Sequence, residues 1–248
     1  MVLLLGFGWA SFAAAQSTPL HYRQSGDLPP GAIGRAQLQR GGPLPGYFQP
    51  VEIIAPRGAL VGMAIEGAFE PGQPTPRAAA LMISPVYRLK VTQIEDYPGL
   101  EVFPTIELIN RIYPPPGMEA SFPIPVQLTK EELLMAAQGQ MVTRVIYLED
   151  PDQALPVAER PGEQHWFEVG LGHDPLQVAD ALGKPVAILR IGGRVPDRAG
   201  PDQQFLFGSP PFIPLGRIEG HMDMPRSSRR GNADPNSPRV LPHISPRA

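Results

Sequence analysis

No cysteine occurs anywhere in the 248 residues. That excludes disulfide bonds, thiol nucleophiles, iron–sulfur clusters and Cys-ligated zinc. It also excludes anchoring through an N-terminal lipidated cysteine. After the N-terminus no apolar run approaches 18 residues, so no membrane span is expected there. Charge of one sign is lacking as well. The formal net charge is −3, which does not mark the whole chain as a binder of polyanions. Nucleic acid is therefore not an expected partner. Motifs of chemistry are missing too. There is no G-x-S-x-G elbow, no H-E-x-x-H helix and no P-loop lysine. Gly170-Leu171-Gly172 does not extend into a nucleotide fingerprint. The sequence offers no catalytic residue and no cofactor site.

What is abundant is proline, at 33 residues, with 26 glycines beside it. Proline removes a backbone donor and breaks helix interiors, so a mainly helical fold is disfavoured. The first 15 residues carry no charge and run from Val2-Leu3-Leu4-Leu5 through Trp9 and Phe12 to Ala13-Ala14-Ala15. An apolar stretch ending in small residues is the pattern of a cleaved secretory signal, although no Lys or Arg precedes it here. It is too short for a membrane helix. The expected destination is the periplasm, the cell envelope or the medium.

Residues 16 to 46 read as a Pro/Gly-rich linker, since such composition buries too little surface to offset chain entropy. Residues 47 to 196 read as the folded domain. Within them Val86 to Thr92 alternates, with Tyr87, Leu89 and Val91 on one face and Arg88, Lys90 and Thr92 on the other. Leu100 to Ile109 places Val102, Ile106 and Leu108 opposite Glu101, Phe103 and Glu107, with Pro104 suggesting an edge or a bulge. Pro123 and Pro125 mark another edge. Met141 to Leu148, Trp166 to Val169 and Val186 to Ile191 read as further strands. Two short helices are expected. One starts at a Thr129/Glu132 capping box and stops before Gly139. The other starts at Asp174-Pro175 and ends at Gly183. The pattern predicts a mainly β domain, an antiparallel β-sandwich or open barrel with two short helices, flanked by disordered Pro-rich arms. Residues 197 to 248 form the second arm. From Gly216 onward it holds six arginines against three acids, so it is locally basic.

His165 and His173, with Asp174, Glu163 and Glu168 nearby, are the one cluster with metal-ligand chemistry. Two histidines eight residues apart in a polar stretch match no known metal signature and suit a solvated loop equally. Ser84 and Ser121 stand at strand borders, as turn serines do. Glu95/Asp96 and Glu131/Glu132 are sequence neighbours, which do not face each other on a helix or strand, and read as solvated surface. Asp150 and Asp152 lack the glycine and the third acid of a calcium loop. Tyr47, Phe48, Tyr113 and Trp166 are the aromatics available for stacking on a sugar.

The run Phe103-Pro104-Thr105-Ile106-Glu107-Leu108, with Tyr113-Pro114-Pro115-Pro116-Gly117, Phe122-Pro123-Ile124-Pro125, Thr129 to Leu133 and Arg144 to Glu149, resembles an uncharacterised group of exported proteins from planctomycete-type bacteria. Leu182 to Arg190 is similar to the same group. The resemblance spans about residues 50 to 195 and implies export and an envelope setting, with no activity. The sequence thus points to a non-catalytic exported structural or interaction domain. Its expected partner is an envelope protein or a polyanionic cell-wall polymer. The alternatives are a metal-binding protein or metal-dependent hydrolase using His165 and His173, and a carbohydrate-binding module.

Overall fold

A computed structural model describes residues 25–152, 154, 166, 168–170 and 172–216. The fold is mainly β, as the alternation predicts. The chain runs α1 (Ala32–Gln39), β1 (Phe48–Ile54), β2 (Leu60–Ile65), β3 (Ala68–Phe69), β4 (Gln73–Pro74), β5 (Arg77–Met82), β6 (Val86–Thr92) and β7 (Thr105–Leu108). A 3-10 turn at Glu119–Ser121 follows. Then come β8 (Ile124–Gln127), α2 (Lys130–Ala137), β9 (Val142–Glu149), α3 (Pro175–Leu182), β10 (Gly183–Ile191) and β11 (Phe212–Pro214).

Two sheets result. The smaller has the order β11-β5-β1-β8, and the larger has the order β3-β2-β6-β7-β10-β9 with β4 also on β2. Pairing is antiparallel except for β1 with β8. One core joins the sheets: Val51, Ile53, Leu81 and Val126 from the smaller pack in one cluster with Leu89, Ile106, Leu108 and Leu189 from the larger. Neither sheet closes into a barrel.

Tyr87, Leu89 and Val91 do point into this core together, and β8, with Pro123 before it and Pro125 within it, is an edge strand. Thr129 Oγ1 accepts from the Glu132 N–H at 3.2 Å, and the Glu132 carboxylate accepts from the Thr129 N–H at 3.1 Å. Asp174 caps α3 through the Leu176 N–H at 2.8 Å.

The structure corrects four local expectations. β7 is an inner strand between β6 and β10, not an edge. Pro104 stands just before it, where no donor is needed, and its carbonyl accepts from the Leu89 N–H at 2.9 Å. Trp166 and Glu168 are exposed, Val169 is half-buried, and all three lie outside any strand. The supposed solvent face is covered in part: Arg88, Phe103 and Glu107 are buried, whereas Lys90 and Thr92 are half-buried and Glu101 is exposed. The covering comes from both ends of the folded part, which extends past 47 and 196. Residues 25 to 46, expected as linker, carry α1, whose Ile33 joins Ile109, Leu176 and Ile188 in a second cluster. Phe205 and Leu206, expected in the tail, pack with Phe103 and Ala64 in a third. β11 pairs with β5. The larger sheet therefore has apolar packing on both faces, which accounts for the near-continuous apolar run of β10.

Candidate functional site

The charged groups on the outer face of the larger sheet lie side by side because β7 and β10 pair in antiparallel register, Glu107 opposite Ile188 and Thr105 opposite Arg190. Glu107 is fully buried. Its Oε2 accepts from Arg190 Nη1 at 3.0 Å, and its Oε1 accepts from the Gly34 N–H at 2.9 Å. Arg190 Nη2 reaches the carbonyls of Gly26 at 3.4 Å and Leu28 at 3.3 Å. Asp174 completes this anchor, since both its oxygens accept from the Gly26 N–H, at 3.0 and 2.9 Å. A buried ion pair is tolerated only when its remaining valences are filled, and here the N-terminal segment fills them.

Arg88 does the same for the other end. It donates to the Phe205 carbonyl at 3.0 Å and to the Phe103 carbonyl at 2.9 Å. Its guanidinium lies 4.5 Å from the Phe205 ring centre and 4.9 Å from that of Phe207. Tyr87 ties a further point: its hydroxyl accepts from the Met82 N–H at 2.9 Å and donates to the Pro211 carbonyl at 2.8 Å. Burial pushes the Tyr87 phenol up to about 12, partly opposed by the hydrogen bond from Met82.

The expected metal-ligand residues fall as follows. His173 is exposed, and Asp174 is engaged by three contacts from two backbone N–H groups. His165 and Glu163 lie outside the described residues. Among the described residues no three His, Asp or Glu side chains come together in a metal-holding group. Asp96 of the expected acidic surface pairs with Lys130 at 2.6 Å, whereas Glu132 pairs with Arg144 of β9. A shallow groove of about 430 Å³ lies between the 97–100 loop and α2, and its walls carry no carboxylate or imidazole.

One cluster was missed as a unit. The Arg111 guanidinium lies over two aromatic rings, 4.6 Å from the ring centre of Tyr47 and 4.2 Å from that of Tyr113. Lys184 Nζ lies 4.5 Å from the Tyr113 ring centre and donates to the Arg111 carbonyl at 3.1 Å. Burial, and then the neighbouring Arg111 charge, hold the Lys184 amine below its usual value. Arg111 Nε is buried without a hydrogen-bond partner. Among the described residues neither cation forms an ion pair. Tyr47 and Tyr113 were both recognised as available aromatics, but nothing in the sequence spacing joins them to Arg111 and Lys184.

Comparison with family models, curated proteins and solved structures finds no match for this chain.

Proposed function

We propose that the chain is a non-catalytic interaction domain of the cell envelope, exported by its N-terminal apolar segment. The observation that carries this reading is the use made of the buried charges. Glu107, Arg190, Arg88 and Asp174 all bond to main-chain groups: the first three fasten end segments to the larger sheet, and Asp174 fastens Gly26 to the start of α3. They hold the fold through these bonds. Catalytic acids and bases instead line concave pockets with valences open to substrate. The export half of the reading rests on the apolar N-terminus and its Ala13-Ala14-Ala15 ending.

Two measurements test it. The mature chain in its native host should begin at Gln16 and fractionate with the envelope. An intact Met1 in the cytosol overturns export. The chain starting at Gln16, immobilised and exposed to solubilised envelope fractions, should retain a specific, saturable partner. Absence of such a partner, or turnover of a substrate by the purified chain, overturns the interaction role. The comparison chain for locating the contact ends at residue 216, because cutting at 197 removes β11 and the Phe205 and Phe207 partners of Arg88.

A further inference from the structure

The Arg111 cluster is an electrostatic oddity. Two cations are held close together with no carboxylate paired to either among the described residues. Like charges at short range repel, and both carry some desolvation. The two tyrosine rings offset part of this through their negative faces. Both rings lie against the guanidinium. Lys184 has two protons beyond the one given to the Arg111 carbonyl. Tyr113 is 66% exposed, so the cluster stands at the surface.

We propose that Arg111 and Lys184, braced by Tyr47 and Tyr113, bind an oxyanion, a carboxylate or phosphate group carried by the ligand. A guanidinium edge matches the two oxygens of such a group, and an ammonium adds a compact second charge. The bound anion offsets the repulsion between the two cations. This inference rests on the interaction-domain reading and names the chemistry the domain recognises. The rings serve as spacers: Tyr113 holds both cations against itself, so sugar stacking on that ring is not the source of affinity.

The test uses the chain from Gln16 onward, labelled for amide and arginine Nε resonances by nuclear magnetic resonance. Inorganic phosphate, galacturonate, glycerol phosphate and neutral galactose are titrated at ionic strength balanced with sodium chloride. Saturable shifts at Arg111, Ile112 and Lys184 with the anions, and none with galactose, are expected. Galacturonate alone or glycerol phosphate alone identifies the source as an acidic sugar or a phosphate polymer, and either supports the site. Lys184→Met should weaken binding about tenfold, as loss of one charge-assisted contact does, and Lys184→Arg should retain it. Arg111→Met should abolish it. The Lys184 pair decides the matter if Arg111→Met fails to fold. No saturable shift, equal shifts with chloride, or binding unchanged in Lys184→Met overturns the site. Those outcomes leave the envelope-partner experiment unaffected, so a captured partner with a silent cluster refutes this inference alone.

Discussion

At the scale of single residues, the Glu107–Arg190 pair carries the sharpest expectation. Removing one member leaves the other charged and buried, which costs about 3–5 kcal/mol. Glu107→Ala should therefore lower urea stability by that amount, and a loss under 1 kcal/mol would mean that the pair is hydrated. Tyr87 gives a pH-dependent case. Its folded-state value of about 12 lies above the ordinary 10. The folded state then holds the phenolic proton more tightly than the unfolded chain. The Tyr87 contribution is complete below pH 10 and is lost as pH rises toward 12. Tyr87→Phe leaves the Met82 N–H and the Pro211 carbonyl unpaired, a cost of about 1–3 kcal/mol at pH 8. The stability gap between wild type and Tyr87→Phe should shrink at pH 11, and a constant gap would refute the assignment. Gly183 is fixed by close approach. A Cβ there would stand 2.0 Å from the Leu148 carbonyl oxygen across the β9–β10 pair. Gly183→Ala should cost about 1–3 kcal/mol through strand displacement, read from the same urea curves.

At the scale of elements, what was legible followed from local chemistry. The Thr129/Glu132 box and the Asp174-Pro175 start announce α2 and α3 because both partners of each cap lie within three residues. Tyr87, Leu89 and Val91 announce β6 because alternation is a local property. α1 was hidden by its flanks and by an interior Gly34. Its Ala, Arg, Gln and Leu content after Pro29-Pro30 was the available signal. Gly34 itself has a reason that only the tertiary structure supplies: a Cβ would meet Ser84 Cα at 2.6 Å. α2 is also tied outward, because Glu132 both closes the capping box and pairs with Arg144 of β9. Thr129→Ala should cost about 1 kcal/mol, as lost N-caps do. Glu132→Ala should cost more than Thr129→Ala, since it removes the cap and the strand contact together. Equal thermal midpoints for the two variants would show that the Arg144 contact contributes nothing.

At the scale of the whole molecule, both described ends cover the larger sheet, and the C-terminal one also adds β11 to the smaller. Composition alone assigned residues 25 to 46 and 197 to 216 to the arms, because Pro and Gly content measures local entropy and not long-range docking. The contacts that fix them span 73 positions for Gly34 to Glu107 and 117 for Arg88 to Phe205. No local pattern carries such a pairing, and Glu107 read from alternation alone belongs in water. The Arg111 cluster was hidden for the same reason, since Lys184 bonds across 73 positions. The consequence is a sharp asymmetry between trimming short and trimming long. A chain starting at residue 41 loses Ile33 from its cluster, and with it the Gly34, Gly26 and Leu28 groups that satisfy Glu107 and Arg190. Ile109 and Ile188 would then face water beside an under-bonded ion pair, and the loss should reach several kcal/mol. A chain ending at residue 216 keeps β11, Phe205 and every described contact of Arg88 and Tyr87. It should therefore melt at the midpoint of the full chain. Calorimetry on the two truncations, run beside the intact protein, decides the matter: a full-length-like melt for the chain starting at 41 would show that α1 is ornamental to the sheet it covers.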